Sequence, residues 1–177
     1  MDRNQFRYQP YYCEENAWWL CAEPALGPGP RQVIFVRNEF GHCPFEQQRA
    51  AAPGALLWWD YHCVVLDGVG RIWDLDSRLP LPLPLGDWLA ASFPFIRQLE
   101  RPLRPRFRLV PASEFQRDFA SDRSHMRAAD GTLRQPPPPW PALGVGMNLP
   151  NYLDLAQGIW LDLPEFTAGA MDPGADR

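Results

Sequence analysis

There is no lysine in this sequence of 177 residues, and all 17 basic side chains are arginine. That absence speaks of a biased genome more than of mechanism. Arginines crowd the stretch from Arg97 to Arg108 but are broken up by proline, as on a solvated face. Against 21 acids the formal charge is −4, so no electrostatic footprint for nucleic acid is present. No apolar run approaches the roughly 20 residues that cross a bilayer. The opening Asp2-Arg3-Asn4-Gln5 lacks the apolar core of a secretory leader. A cytoplasmic location with no membrane partner is therefore expected. None of the four cysteines forms a CxxC pair, which argues against a zinc knuckle or a thioredoxin-type site. In a reducing compartment they stand as free thiols. No glycine-rich phosphate loop occurs, so nucleotide chemistry has no support.

What is present is a globular composition, 46% apolar and 21% charged, with 21 prolines. The length suits one domain that buries a core without staples. We expect that domain over residues 1–168 and a disordered tail over 169–177.

Residues 13–22 (CEENAWWLCA) read as a short helix with Glu14 and Glu15 in its first turn, where the dipole favours acids. Residues 32–37 have strand composition, and Asn38 to Gly41 reads as a turn. Residues 57–66 (LWWDYHCVVL) read as one strand, Asp67 to Gly70 as a turn, and residues 71–76 as the returning strand. The run Leu79 to Pro84 cannot join a central strand, because alternate residues lack an amide donor. It is expected as an extended surface wall. A helix is expected over 86–100, bent or broken at Pro94. A strand is expected over 106–110, and a helix over 111–119 with Ser113 as its cap. Residues 121–150 form a long irregular stretch, a length that is functional or disordered in compact domains. The order predicts an α+β fold: a single compact domain with a mostly antiparallel sheet and flanking helices.

Cys13 stands at the expected first turn of the first helix, where the dipole favours the thiolate. Glu14 and Glu15 oppose a second negative charge there, so a cationic partner is required. His62 answers that need. If the hairpin turns about Gly68, Leu66 faces Gly70 and His62 faces Asp74, with Cβ atoms roughly 5 Å apart. A carboxylate then holds one ring nitrogen and leaves the other for a thiol, the arrangement of a nucleophile–base–acid triad. A slip of one residue sends both aspartates to the other face, and a slip of two brings Asp76 into the role. From this pattern alone, Cys13 also fits a buried structural thiol and His62 a satisfied strand histidine. The other histidines, His42 and His125, pair with no acid in this way. Cys63 alternates to the opposite strand face from His62, and Cys21 is two turns inside the helix. Asp60, His62, Asp74 and Asp76 share a face, but no ligand spacing supports a metal, and none is expected.

The strings YYCEENAWWLC, WWDYHCVVL, IWDLDSRLPLP, FASDRSHM and QPPPPWP, in this order, resemble the protein N-terminal glutamine amidohydrolase family. The resemblance runs from about Tyr8 to Phe166. It implies a papain- or transglutaminase-like catalytic core and a triad of Cys13, His62 and Asp74, the register counted above. It further implies deamidation of an N-terminal glutamine to glutamate through a thioester, with no cofactor and no partner beyond the substrate, by a monomer. The backbone N–H of Cys13 is a natural oxyanion donor, and the indole of Trp59 a candidate second. Glu15 or Asp122 is a candidate reader of the substrate's α-ammonium, although a structural role suits either acid as well. The chain departs from eukaryotic members by being shorter between Cys21 and Val33 and at the C-terminus. It also has a cysteine after His62, where valine is more usual. A transglutaminase or peptidase on the same triad, and a binding module without turnover, are the alternatives.

Overall fold

The computed structural model describes residues 1–170. The helices are α1 (Cys13–Leu20), α2 (Leu85–Ser92), α3 (Ala112–Asp118), α4 (Leu149–Leu153) and α5 (Leu163–Ala170). The strands are β1 (Gln32–Arg37), β2 (Cys43–Phe45), β3 (Leu57–Trp59), β4 (His62–Leu66), β5 (Arg71–Trp73), β6 (Leu83–Pro84) and β7 (Arg106–Pro111). Five of them form one antiparallel sheet in the order β6-β5-β4-β1-β7. The remaining pair, β2 and β3, makes a separate two-stranded sheet. The α+β layout matches the expectation.

The sheet divides the core into two layers. Strand alternation sends Val33, Phe35, Cys63 and Val65 to the face covered by α1 and α3, where they meet Ala17, Leu20 and Phe115. Ile34, Val36, Val64 and Leu66 point the other way and pack under Trp88, Phe93 and Phe166. Strand β1 lies between β4 and β7. Its inner residues are buried on both faces, so it reads as a continuous apolar run without alternation.

Three sequence expectations need correction. Residues 57–66 are two strands, because the chain bends at Asp60-Tyr61 and passes from the small sheet into the large one. The proline run is not only a wall: Leu83–Pro84 pairs with β5 as the edge strand β6, the position that tolerates a missing donor. Helix α3 begins after Pro111, and Ser113 lies inside it rather than at its cap.

The hairpin register also differs from the one counted. Leu66 pairs with Ile72 and Val65 with Trp73, so the turn is centred on Val69 rather than Gly68. The cause is Asp67. Its Oδ1 accepts the N–H groups of Val69 and Arg71, and its Oδ2 accepts Arg71 Nε and Trp73 Nε1. This carboxylate holds a wider turn than a tight glycine turn would give. Helix α2 is eight residues long and stops before Pro94, after which Ile96–Gln98 is a 3-10 turn. Of the expected tail, Gly169 and Ala170 complete α5, and residues 171–177 lie outside the described residues.

Candidate active site

Cys13 is the first residue of α1, and no side chain caps that helix. The first N–H groups of a helix have no intrahelical acceptor, so the sulfur sits at the positive end of the dipole. The entry into the helix is fixed from outside. Gln9 N–H donates to Asn16 Oδ1, and Asn16 Nδ2 donates back to Gln9 O, both at 2.9 Å. Between these anchors Tyr11 is held at φ 71°, a left-handed conformation that is uncommon for a non-glycine residue and tends to occur at working sites.

His62 opens β4 and is fully buried. Its Nε2 is 3.0 Å from Asp74 Oδ1. The ring is stacked on Trp59 (5.6 Å, 8°) and meets the edge of Phe45 (5.4 Å, 83°). In the observed register Asp74 is a diagonal neighbour of His62, and continuing that register past Trp73 would set Asp76 opposite it. Asp74 still reaches the imidazole because both lie on the same face and the chain turns just after β5. Asp76 N–H donates to Asp74 Oδ1 at 3.1 Å and pins that turn. The second oxygen of Asp74 accepts Trp88 Nε1 at 3.1 Å and a longer contact from Gln48 Nε2 at 3.5 Å. Asp76 accepts the hydroxyl of Tyr8 at 2.8 Å.

The titration of these groups follows from that packing. Burial acts to raise Asp74, but the charge and hydrogen bond of His62, with the Trp88 and Gln48 donors, bring it below the usual carboxylate range. Burial acts to lower His62, yet Asp74 and then Cys13 outweigh it and hold the imidazole well above its ordinary value. Burial pushes the Cys13 thiol well up, Cys63 adds to this, and His62 opposes it. Asp76, buried beside Asp74, is raised to about 6.

The sulfur and the imidazole are close enough to act on each other. No settled hydrogen bond joins them, because Nδ1 of His62 has no partner among the described residues. The thiol has an acceptor in Glu14 Oε2, at 3.7 Å. Cys13 opens onto a cavity of about 380 Å³ whose wall includes Tyr11, Trp59, Tyr61, His125 and Met126.

The other predicted residues lie elsewhere or are already engaged. Glu15 is fully buried and does not line the cavity. Arg123 grips both its oxygens at 2.7 and 2.8 Å, and Trp140 Nε1 donates to the second at 2.7 Å. It is a clamp, with both oxygens engaged. Asp122 is exposed, accepts the N–H of Ser124 and does not line the cavity. Trp59 lines the cavity, but its indole N–H is given to Gln48 Oε1 at 3.2 Å, so its ring rather than its donor faces the site. Cys63 lies on the α1 face with Cys13, opposite His62, as alternation requires. Exposed His42 contributes nothing to the cavity.

Sequence reasoning missed His125, Tyr61 and Glu14. Tyr61 donates to Glu14 Oε2 at 2.8 Å, and His125 Nε2 lies 3.3 Å from Glu14 Oε1 and 3.5 Å from the Tyr61 hydroxyl. The only sequence signal was the presence of His125 in the same SDRSHM string as Arg123. Residues His62, Asp74 and Asp76 bring three ligand-type atoms within 4.8 Å of one another. The Nε2 that would coordinate an ion is already directed at Asp74, which makes the cluster a poor metal cage.

A thiol at a helix tip, with a buried acid-held imidazole near it, is the arrangement that nucleophile–base–acid chemistry calls for. The comparisons then give the family. A model of the N-terminal glutamine amidase family matches residues 8–169. The chain is 33% identical over 174 residues to the protein N-terminal glutamine amidohydrolase of Bos taurus, covering 90% of this chain and 84% of that one. It is 35% identical to the Arabidopsis thaliana protein of the same name, covering 88% and 78%, and 33% identical to the Homo sapiens one, covering 90% and 85%. The chain belongs to the N-terminal glutamine amidase family.

Proposed function

We propose that this protein removes ammonia from the side-chain amide of a glutamine at the N-terminus of a protein or peptide, leaving glutamate. Cys13 is the nucleophile, His62 the base and acid, and Asp74 the residue that orients His62. As the sulfur attacks the carboxamide carbon, His62 Nδ1 takes the thiol proton. The developing oxyanion is stabilised by donors such as the Cys13 N–H at the helix tip. The C–N bond then breaks, His62 returns the proton to the departing ammonia, and a thioester remains. Water gives up a proton to His62 and attacks that thioester. Collapse releases the glutamate side chain and restores the thiol. No step calls for a metal or cofactor. A papain- or transglutaminase-like core, a single catalytic domain, a monomeric state and a cytoplasmic location belong to the same reading. Among the described residues, no helix is long and apolar enough to cross a membrane.

The observation that carries this reading is the His62–Asp74 contact of 3.0 Å beside a cavity-lining Cys13 in a chain of this family. The test is mass spectrometry of a Gln-initiated peptide and of its N-acetylated copy, with ammonia measured in parallel. A gain of about one mass unit on the free-amine peptide alone is expected, since loss of –NH2 and gain of –OH changes little else. Equal conversion of both peptides rejects N-terminal selectivity. Binding of the free peptide without ammonia release rejects catalysis.

A further inference from the structure

Glu14 is the least comfortable residue in the molecule. Its side chain is fully buried, it adjoins the sulfur, and among the described residues no group hydrogen-bonds its Oε1. His125 Nε2 comes within 3.3 Å of that oxygen without the alignment of a hydrogen bond. Its Oε2 accepts Tyr61 and the Cys13 thiol. A buried carboxylate with an unanswered oxygen is costly. Here it also works against the chemistry: it offers the thiol an acceptor other than His62, and its charge opposes a thiolate beside it. Burial raises neighbouring Tyr61 and Cys63, and the field of Glu14 adds to it.

Both faults disappear if a cation arrives with the substrate. We infer that Glu14 is the group that receives the substrate's α-ammonium, and that this contact frees the Cys13 thiol to turn to Nδ1 of His62. The inference rests on the proposed deamidation. In an extended glutamine the α-nitrogen lies roughly 5 Å from the amide carbon. Glu14 Oε2 is 3.7 Å from the sulfur, so one residue spans from nucleophile to carboxylate. An acetylated terminus or an internal glutamine brings no cation and leaves the thiol on Glu14. His125, on the cavity wall and part of the short turn Ser124–Met126, covers Oε1 and moves aside to admit the ammonium. Glu14 does not itself line the cavity, but it touches His125 and Tyr61, which do. The acids on the wall fit less well. Asp60 is exposed and accepts its neighbour's N–H. Asp154 uses both oxygens, one on Ala156 N–H and one on Gln157 Nε2.

The experiment compares two peptides, one starting with glutamine and one identical but lacking the α-amine. Each is given to the parent protein and to Glu14→Gln, and kcat/KM for ammonia release is read. The parent is expected to prefer the amine-bearing peptide strongly. Glu14→Gln is expected to lose roughly thirtyfold of that preference, the worth of one charged hydrogen bond, through a lower rate on the amine-bearing peptide. Alkylation of Cys13 by iodoacetamide without peptide separates this from structural damage. It should be as fast in Glu14→Gln as in the parent or faster, because the competing acceptor is weakened. A preference unchanged within about threefold, or a thiol that reacts more slowly, overturns the inference. If Glu14→Gln does not fold, Glu14→Asp, which keeps the charge but withdraws both oxygens from the thiol by one carbon, is read by the same two criteria. A parent that releases no ammonia from the glutamine peptide refutes the proposed function itself, an outcome distinct from the others.

Discussion

Asp74 holds His62 from a diagonal position, at 3.0 Å, with its remaining lone pairs answered by the Asp76 N–H, the Trp88 indole and the Gln48 amide. A carboxylate fixed by so many donors cannot rotate to release the imidazole. In the proposed mechanism it also stabilises the imidazolium that forms when the thiol proton moves. Asp74→Asn is expected to lower kcat by about 10³ with a small change in KM, because an amide no longer selects the tautomer that leaves Nδ1 free. Steady-state kinetics on a Gln-initiated peptide give the result, and a loss below about tenfold would remove Asp74 from the mechanism.

All four cysteines are buried and unpaired, but they are not equivalent. Burial pushes Cys21 up to about 12 and raises Cys43 and Cys63, and none of the three lines the cavity. Cys13 does, at the helix tip. Limited treatment of the folded protein with iodoacetamide should therefore label Cys13 first and abolish activity in proportion. Peptide mapping decides this, and first labelling at another cysteine contradicts it.

The Glu15–Arg123 pair is a buried bidentate bond, with Glu15 fully enclosed and Arg123 12% exposed. Removing one member leaves the other charge buried without a counterpart. Arg123→Ala should cost about 3 kcal/mol of stability, measured by urea unfolding, and should speed hydrogen exchange across residues 123–140. A change under about 0.5 kcal/mol would mean that the clamp contributes no more than a surface ion pair.

Asp76 makes stability depend on pH in an unusual direction. Its carboxyl is raised from 3.8 to about 6, burial being the largest cause. The folded state therefore binds a proton that the unfolded chain has lost between these values. Below pH 3.8 both states are protonated and no penalty exists. The penalty grows as the pH rises toward 6 and is constant above it. Asp76→Asn should then be more stable than the parent at pH 7 by roughly 2 kcal/mol, with the advantage fading below pH 4. Thermal melts at both pH values test this, and an advantage that grows on acidification reverses the sign and refutes it.

Much of this was legible in the chain. The strand composition of residues 32–37 and 106–110 and the helix at Cys13 came through because local propensity and burial agree there. The His62–Asp74 pairing was reached by a count that set the turn one residue too early. Period-two alternation preserved the shared face, so the partner was right although the register was off by two. Asp67 was read as an ordinary turn residue, and nothing local announces that one carboxylate will collect four donors. Glu15 and Trp59 were assigned by proximity and chemistry, but their functional atoms are claimed by Arg123 and Gln48, contacts made across 108 and 11 residues. The Glu14–Tyr61–His125 group was invisible for the same reason, since it joins three segments with no shared periodicity.

The clamp on Glu15 has a consequence for the order in which the molecule comes to life. Cys13, His62 and Asp74 are all encoded by residue 74, yet His125 and Met126, which wall the cavity, belong to a later segment that Arg123 and Trp140 fasten to α1. A nascent chain with its first hundred residues outside the ribosome already carries all three residues of the proposed triad but lacks the far wall of the cavity. The cavity onto which Cys13 opens is completed only by residues 125–154, from the last third of the chain.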